Sequence, residues 1–303
     1  MGGDRLGDLR GTYQVRAHQI VTAPPTAFAG LAVLRGFGFD VFEPNPVRRR
    51  KIPGGTVKLV FALDGIFDGR SIDPTALVIG LHDRAGTAGH AGRMRSVQLQ
   101  LDPLTARGLL GVPLDELRNQ AVPLTELFGR PVRQLTERLA ETPTWPARFT
   151  LLGDYLRQRA CDNERTADRA IGHAVRELRR SDGIRPVTAL AAESGWSQRH
   201  FRRRFAAEVG LPPKDYASLL RFSAALTAMT THPWHDPSAL AAEFGYYDQS
   251  HLTRDFHRFA GTSPGRLLSR SPIQHVNAPG CRNEAKSQCD RALPTNFDDS
   301  AEP

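Results

Sequence analysis

Two hydrophobic spacings follow one another along the chain. In 36–42, aromatics alternate with small residues (Gly36, Phe37, Gly38, Phe39), which predicts a strand, and Pro44 and Pro46 predict the turn that closes it. The turn signal Pro53-Gly54-Gly55 precedes a run rich in β-branched and aromatic residues, 56–63, the pattern of a buried strand. Residues 76–81 predict another. In 95–101, Val97, Leu99 and Leu101 alternate with Gln98 and Gln100, as in a strand with one buried face. From Pro103 the apolar residues instead recur three and four apart. That spacing predicts helices over 104–110, 114–119, 124–128, 132–140 (Val132, Leu135, Leu139) and 145–160 (Trp145, Phe149, Leu152, Leu156). Residues 28–34 read as an extended piece or a short helix. The basic run 48–51 reads as a charged turn. His82, Asp83 and His90, set among Gly86, Gly89 and Gly92, read as a surface loop.

Farther on the chain says one thing twice. Leu190-Ala191-Ala192-Glu193 is followed by Gly195, Ser197, His200, Phe201, Arg203, Phe205, Gly210 and Pro213. Leu240-Ala241-Ala242-Glu243 is followed by Gly245, Asp248, His251, Leu252, Arg254, Phe256, Gly261 and Pro264, with one residue inserted after the glycine (Trp196 against Tyr246-Tyr247). A repeat that stays in step across an insertion marks two copies of one supersecondary unit. Each copy spells helix, tight turn, helix. Gly195 and Gly245 allow the positive φ of a sharp turn, and Ser197 and Asp248 are N-cap residues. Phe201 and Phe205, or Leu252 and Phe256, place one apolar stripe inward, while Gly210 and Gly261 stop the helix. Trp196 and Tyr246 are expected to pack rather than stack on bases. This is a helix-turn-helix made twice.

The second helix of each copy carries its chemistry outward. Copy one exposes Arg199, His200, Arg202, Arg203 and Arg204; copy two exposes Gln249, Ser250, His251, Thr253 and Arg254. Such side chains can bond base edges and phosphates in a major groove. One arginine run alone is as well explained by a solvated helix face, but the doubling shifts the reading to DNA. Copy one sets four arginines against Glu208, whereas in copy two Asp248 and Asp255 offset Arg254 and Arg258. The first helix is therefore expected to supply more affinity and more salt dependence.

With these residues in view, the chain resembles the AraC/XylS-type transcription regulators. The stretch from Gly245-Tyr246-Tyr247-Asp248 through Arg254, Phe256 and Gly261-Thr262-Ser263-Pro264 follows that family's C-terminal signature. It departs with Leu252 where an aromatic is common and Leu267 where a tyrosine is usual, both still apolar. The resemblance implies a seven-helix DNA-binding domain over 167–271, with recognition helices near 197–208 and 248–259 joined by a linker helix over 213–229. It implies base-reading positions at Arg199, Arg202, Arg203, Gln249, Ser250, Thr253 and Arg254. Ser197, His200, Arg204 and His251 are assigned to phosphate or register. A weaker resemblance, through Ile52-Pro53-Gly54-Gly55 and Leu110-Gly111-Val112-Pro113, links 13–160 to the N-terminal domain of one AraC-type subfamily.

The expected fold class is therefore α+β, a mixed β/α sensor-like domain followed by an all-α domain. Residues 1–12 are expected to be loose, 161–166 a linker and 272–303 a disordered tail. A net charge of +8 and a pI of 9.9 suit a nucleic-acid partner. The cysteines are 3, an odd and sparse count that argues against a disulfide framework and suits a reducing cytoplasm. Met1–Asp8 lacks the apolar core of a signal peptide. No catalytic constellation, metal set or cofactor motif is read. Double-stranded DNA is the expected partner, with no membrane. The N-terminal domain is expected to sense a small-molecule effector or to form a homodimer, and an activator would also meet RNA polymerase. The alternative is an enzyme or scaffold whose helix-turn-helix domain is accessory.

Overall fold

The structure is a computed structural model that describes residues 17–31, 33–67, 70–71, 75–162, 168–231 and 236–269. The N-terminal domain is built on an antiparallel sheet: β1 (Ala17–Thr22), β2 (Val33–Lys51), β3 (Val57–Phe67), β4 (Arg70–Ser71), β5 (Thr75–Ile79), β6 (Gly86–Leu101) and β7 (Ala121–Pro123). Their order is β1-β2-β6-β3-β5-β7, with β4 on β3. Alternation sorts the side chains. Leu59 pairs with Leu99 and Val78, and Phe61 with Val97 and Ala76, so these apolar residues share one fully buried face. Helix α1 (Pro103–Leu110) and α2 (Leu124–Phe128) lead to α3 (Arg130–Glu141), whose Val132, Leu135 and Leu139 cover that face. Helix α4 (Trp145–Asp162) lies over the tight helical turn Pro25–Phe28, with Phe149 edge-on to Phe28 at 6.4 Å. Burying each such aromatic contributes roughly 1.5–3 kcal/mol. Trp145 explains Gly38, and Phe28 explains Gly36. The Trp145 indole lies where a Cβ on Gly38 would be, and its Nε1 donates to Gln19 Oε1 at 3.2 Å.

Several expectations change. β2 does not end at Pro44 and Pro46 but continues to Lys51, so 48–51 is paired strand opposite 86–89 rather than a charged turn. The register shifts between Glu43 and Val47, as expected where prolines supply no N–H to the ladder. By the same pairing Gly86, Gly89 and Gly92 belong to β6, and only 82–85 remain loop. The polar face of 95–101 is also partly covered, since Ser96 and Gln100 are buried. Residues 114–117 form a tight turn rather than a longer helix, and 161–162 extend α4 into the expected linker. The rest of that linker, 163–166, together with 1–12 and 272–303, lies outside the described residues.

The C-terminal domain is all helical: α5 (Arg169–Arg180), α6 (Val187–Glu193), α7 (Gln198–Val209), α8 (Pro213–Thr231), α9 (Pro237–Glu243), α10 (Gln249–Ala260) and α11 (Pro264–Ser269). The long α8 joins the two halves. Near its start Tyr216 packs on Phe205 of α7 (5.9 Å), and farther along Phe222 packs on Phe256 and Phe259 of α10 (5.0 and 5.1 Å). The domains also meet each other. Arg179 donates to the Gly55 carbonyl at 3.2 Å and to the Tyr216 hydroxyl at 3.0 Å, and pairs with Asp102.

Candidate nucleic-acid interface

Each unit is fixed by the same few devices. Gly195 and Gly245 have φ of +70 and +68, the left-handed turn between helices. The Ser197 hydroxyl accepts from the His200 N–H at 3.3 Å, and the Asp248 carboxylate from the His251 N–H at 2.7 Å. These caps supply partners for amides that a helix start leaves open. Leu190, Ala191, Phe201 and Phe205 are buried in the first unit, and Leu240, Ala241, Leu252 and Phe256 in the second. An aromatic then meets the repeated histidine edge-on, Trp196 with His200 at 4.8 Å and Tyr246 with His251 at 5.2 Å. Both histidines are half-buried against these rings, and Tyr246 is itself buried.

With the apolar stripe inward, the polar residues face out. Arg199, Arg202 and Arg203 on α7 and Gln249, Ser250 and Arg254 on α10 are exposed, and Thr253 is half-buried beside them. Arg254 Nε donates to the Ser250 carbonyl at 3.4 Å. These two faces present a cluster of guanidiniums and a cluster of amide and hydroxyl groups, the donors and acceptors that base edges and phosphates accept. Arg204 is set apart. It is half-buried, 3.7 Å from Asp168 and 3.6 Å from Glu208, so two carboxylates compete with phosphate for it.

The charge ledger of copy two is different from the one the sequence suggests. Asp255 does not offset Arg254 at the surface, because it is buried. Burial pushes its carboxyl above the ordinary value, against the charges of His251, Arg221 and Arg258. Glu208, its opposite number in the charge count of copy one, is buried as well, 3.8 Å from Arg107. One exposed residue was not singled out by sequence. Tyr247, the inserted residue, is 93% exposed directly before the cap of α10. Its signal was the insertion itself, since only one of Tyr246 and Tyr247 could fill the core position of Trp196. Asp83 lies in the loop the sequence predicts and is bonded there to Arg118 and Asn119. His82 contacts its neighbour, Nδ1 lying 2.9 Å from the Gly80 carbonyl.

Residues 190–270 match a family described as a helix-turn-helix domain. No curated protein matches the chain. Among solved structures, the chain is similar to ToxT from Vibrio cholerae O395, at 10% identity over 77% of this chain and 96% of that one, with a TM-score of 0.42. ToxT bound to (E)-4-(8-methylnaphthalen-1-yl)but-3-enoic acid gives 10% identity, coverage of 82% and 98%, and a TM-score of 0.43. ToxT from Vibrio cholerae strain SCE256 with a bound unsaturated fatty acid gives 9%, 84% and 96%, and 0.40. The C-terminal helices are a helix-turn-helix domain on the strength of the family match and the doubled geometry. Among the described residues, no helix is long and apolar enough to cross a membrane.

Proposed function

We propose that the chain is an AraC/XylS-type regulator of transcription that reads DNA by setting α7 and α10 into successive major grooves. In this reading Arg199, Arg202 and Arg203 contact bases from the first helix, and Gln249, Ser250, Thr253 and Arg254 from the second. Ser197, His200 and His251 set register or meet phosphate, with Arg204 shared between phosphate and its own carboxylates. One observation carries it: the repeat buries matching positions in both units and leaves six of the seven proposed base-reading positions exposed on the corresponding face of each, with Thr253 half-buried beside them. The protein acts by binding rather than by catalysis, and its expected place of work is the cytoplasm. The test is selection of fragmented genomic DNA by the full chain at two salt concentrations. Enrichment of a site with two boxes about one helical turn, roughly 10 base pairs, apart supports the reading. Enrichment that vanishes with salt and carries no common motif would sink it.

The N-terminal domain is proposed to bias DNA occupancy through a small-molecule effector. Lys58, on the face of β3 opposite Leu59 and Phe61, has no ion-pair partner among the described residues. Burial lowers its ammonium to about 7, with the charge of Lys51 adding to the effect. A cation held this way favours a ligand with an acidic group. Thermal-shift screening of the full chain against small carboxylates, with Lys58→Met as control, checks this; stabilisation by no acid, or equal stabilisation of the variant, removes it. A homodimer and, for an activator, RNA polymerase are the remaining proposed partners.

A further inference from the structure

The end of α10 is held by the other domain. The last carbonyls of a helix have no partner within it. Here the Ala85 N–H donates to the Arg258 carbonyl at 3.2 Å, and Arg50 donates to the Ala260 carbonyl at 3.1 Å. The Arg258 side chain answers in the opposite direction. Its Nε donates to the Asp83 carbonyl at 3.0 Å, and its guanidinium lies 3.0 Å from Asp215 and 3.8 Å from the Asp83 carboxylate. Asp83 is fixed in turn. Its carboxylate accepts from Arg118 and, at 3.0 Å, from Asn119, and its N–H donates to Asn119 Oδ1 at 3.0 Å. Arg118 also stands 3.7 Å from Asp215. Two carboxylates and two guanidiniums thus alternate around one point.

Three elements meet there: the loop and turn of the N-terminal domain (Asp83, Arg118, Asn119), the first turn of α8 (Asp215) and the last turn of α10 (Arg258). The first turn of α8 follows directly on the end of α7, so the ends of the two recognition helices are tied to each other with Asp83 between them. The Asp83 side chain is only 13% exposed; Arg118 Nε and Nη2 both donate to its Oδ2 while Asn119 donates to Oδ1, and charge-assisted bonds of this kind are strong. Burial works against the Asp83 carboxylate, but the hydrogen bonds from Arg118 and Asn119 and the charges of Arg118 and Arg258 outweigh it and keep its pKa below the ordinary value. The arrangement does not come from the repeat, because the residue matching Arg258 in copy one is Ala207. Nor does it obstruct the exposed faces of α7 and α10, which lie on the earlier turns of each helix.

We propose that Asp83 is a positioning residue for DNA recognition. From the N-terminal domain it fixes the second recognition helix against the first, through Arg258 and Asp215, and so sets the spacing between boxes that the protein accepts. This rests on the two-box reading above. The test takes the selected operator in three forms, with the boxes at their selected spacing and one base pair closer or farther apart. The full chain and its Asp83→Asn, Asp83→Ala and Arg258→Lys variants are titrated by fluorescence anisotropy against each form and against a half-operator holding only the box read by α7. Wild type is expected to prefer its own spacing by about tenfold, and each variant by less than about threefold, with half-operator affinity held within about twofold. Asp83→Asn is close to isosteric and decides the matter if the alanine variant does not fold. A variant that keeps the wild-type spacing preference overturns the proposal. So does one that loses affinity equally for every form, which is the mark of a purely structural role. A wild type that enriches no two-box site overturns the regulator reading along with it; a wild type that does so, beside unaffected variants, overturns this inference alone.

Discussion

Phe205 and Phe256 stand at the same point of their two units and are both fully buried, while the residues just before them, Arg204 and Asp255, part ways. Arg204 stays at the half-open rim among carboxylates, and Asp255 turns into the interior beside Tyr246. The same contrast runs through both helices. Positions that make the helix-turn-helix are repeated, whereas on the outward faces Arg203 and Arg254 match but Arg199 and Arg202 stand opposite Ser250 and Thr253. Copy one exposes three guanidiniums and meets the N-terminal domain through Glu208 and Arg107; copy two exposes an amide, hydroxyls and one guanidinium, and meets that domain through Arg258 and Asp83. The scaffold is one solution used twice, and the two outward faces differ in their chemistry.

The largest effects test the shared part. Phe205→Ala and Phe256→Ala each leave a cavity and should destabilise the full chain by about 3–5 kcal/mol in denaturant melts. Similar losses sharpen the comparison, and a loss confined to one unit breaks it. The divergent part is tested at DNA. Arg203→Ala should cost roughly 1–3 kcal/mol at the selected operator and flatten the salt dependence, whereas Gln249→Ala should relax base preference in its own box with the salt slope kept. If Gln249→Ala flattens the slope as much as Arg203→Ala, the division of labour between the helices is wrong.

Smaller effects separate the helix ends. Gly210 and Gly261 both stop their helices in the left-handed region, with φ of +96 and +68. Alanine costs roughly 1–2 kcal/mol in that conformation. A Cβ on Gly210 would also stand 3.1 Å from the Leu114 carbonyl, whereas one on Gly261 would meet nothing nearer than the Ala85 Cβ at 3.7 Å. Gly210→Ala should therefore lower the melting point more than Gly261→Ala; the reverse order would mean that the wall at Leu114 gives way. The caps come last. Ser197→Ala and Asp248→Ala should each cost about 1 kcal/mol. Asp248→Ala should cost slightly more, since its charge also meets the positive end of the helix. Equal stability of both variants with wild type would show that water caps these helices equally well.

The helices were the most legible part of the chain, because their signals are local. A cap bonds an amide three residues on, and an apolar stripe repeats within one turn, so Ser197, Phe201, Phe205 and Gly210 mark α7 by themselves. The strands were legible where they alternate and misleading where they do not. Pro44 and Pro46 read as the end of β2, but pairing with β6 carries the strand past them. Glycines 86, 89 and 92 read as loop for the same reason: a weak strand former is held in place by its partner. The exposed polar face was visible in the residue types of α7 and α10, while the interior position of Asp255 was not.

Sequence alone determined the doubled unit, its caps, its buried stripe and the polar faces set against it, since each of these is settled among residues a few positions apart. Only the tertiary structure decided which charges are free. Asp83 and Arg258 lie 175 residues apart, and no local pattern in either neighbourhood announces the other. Their meeting depends on how the sheet, α8 and α10 pack together, and an ion pair made by packing leaves no period in the chain.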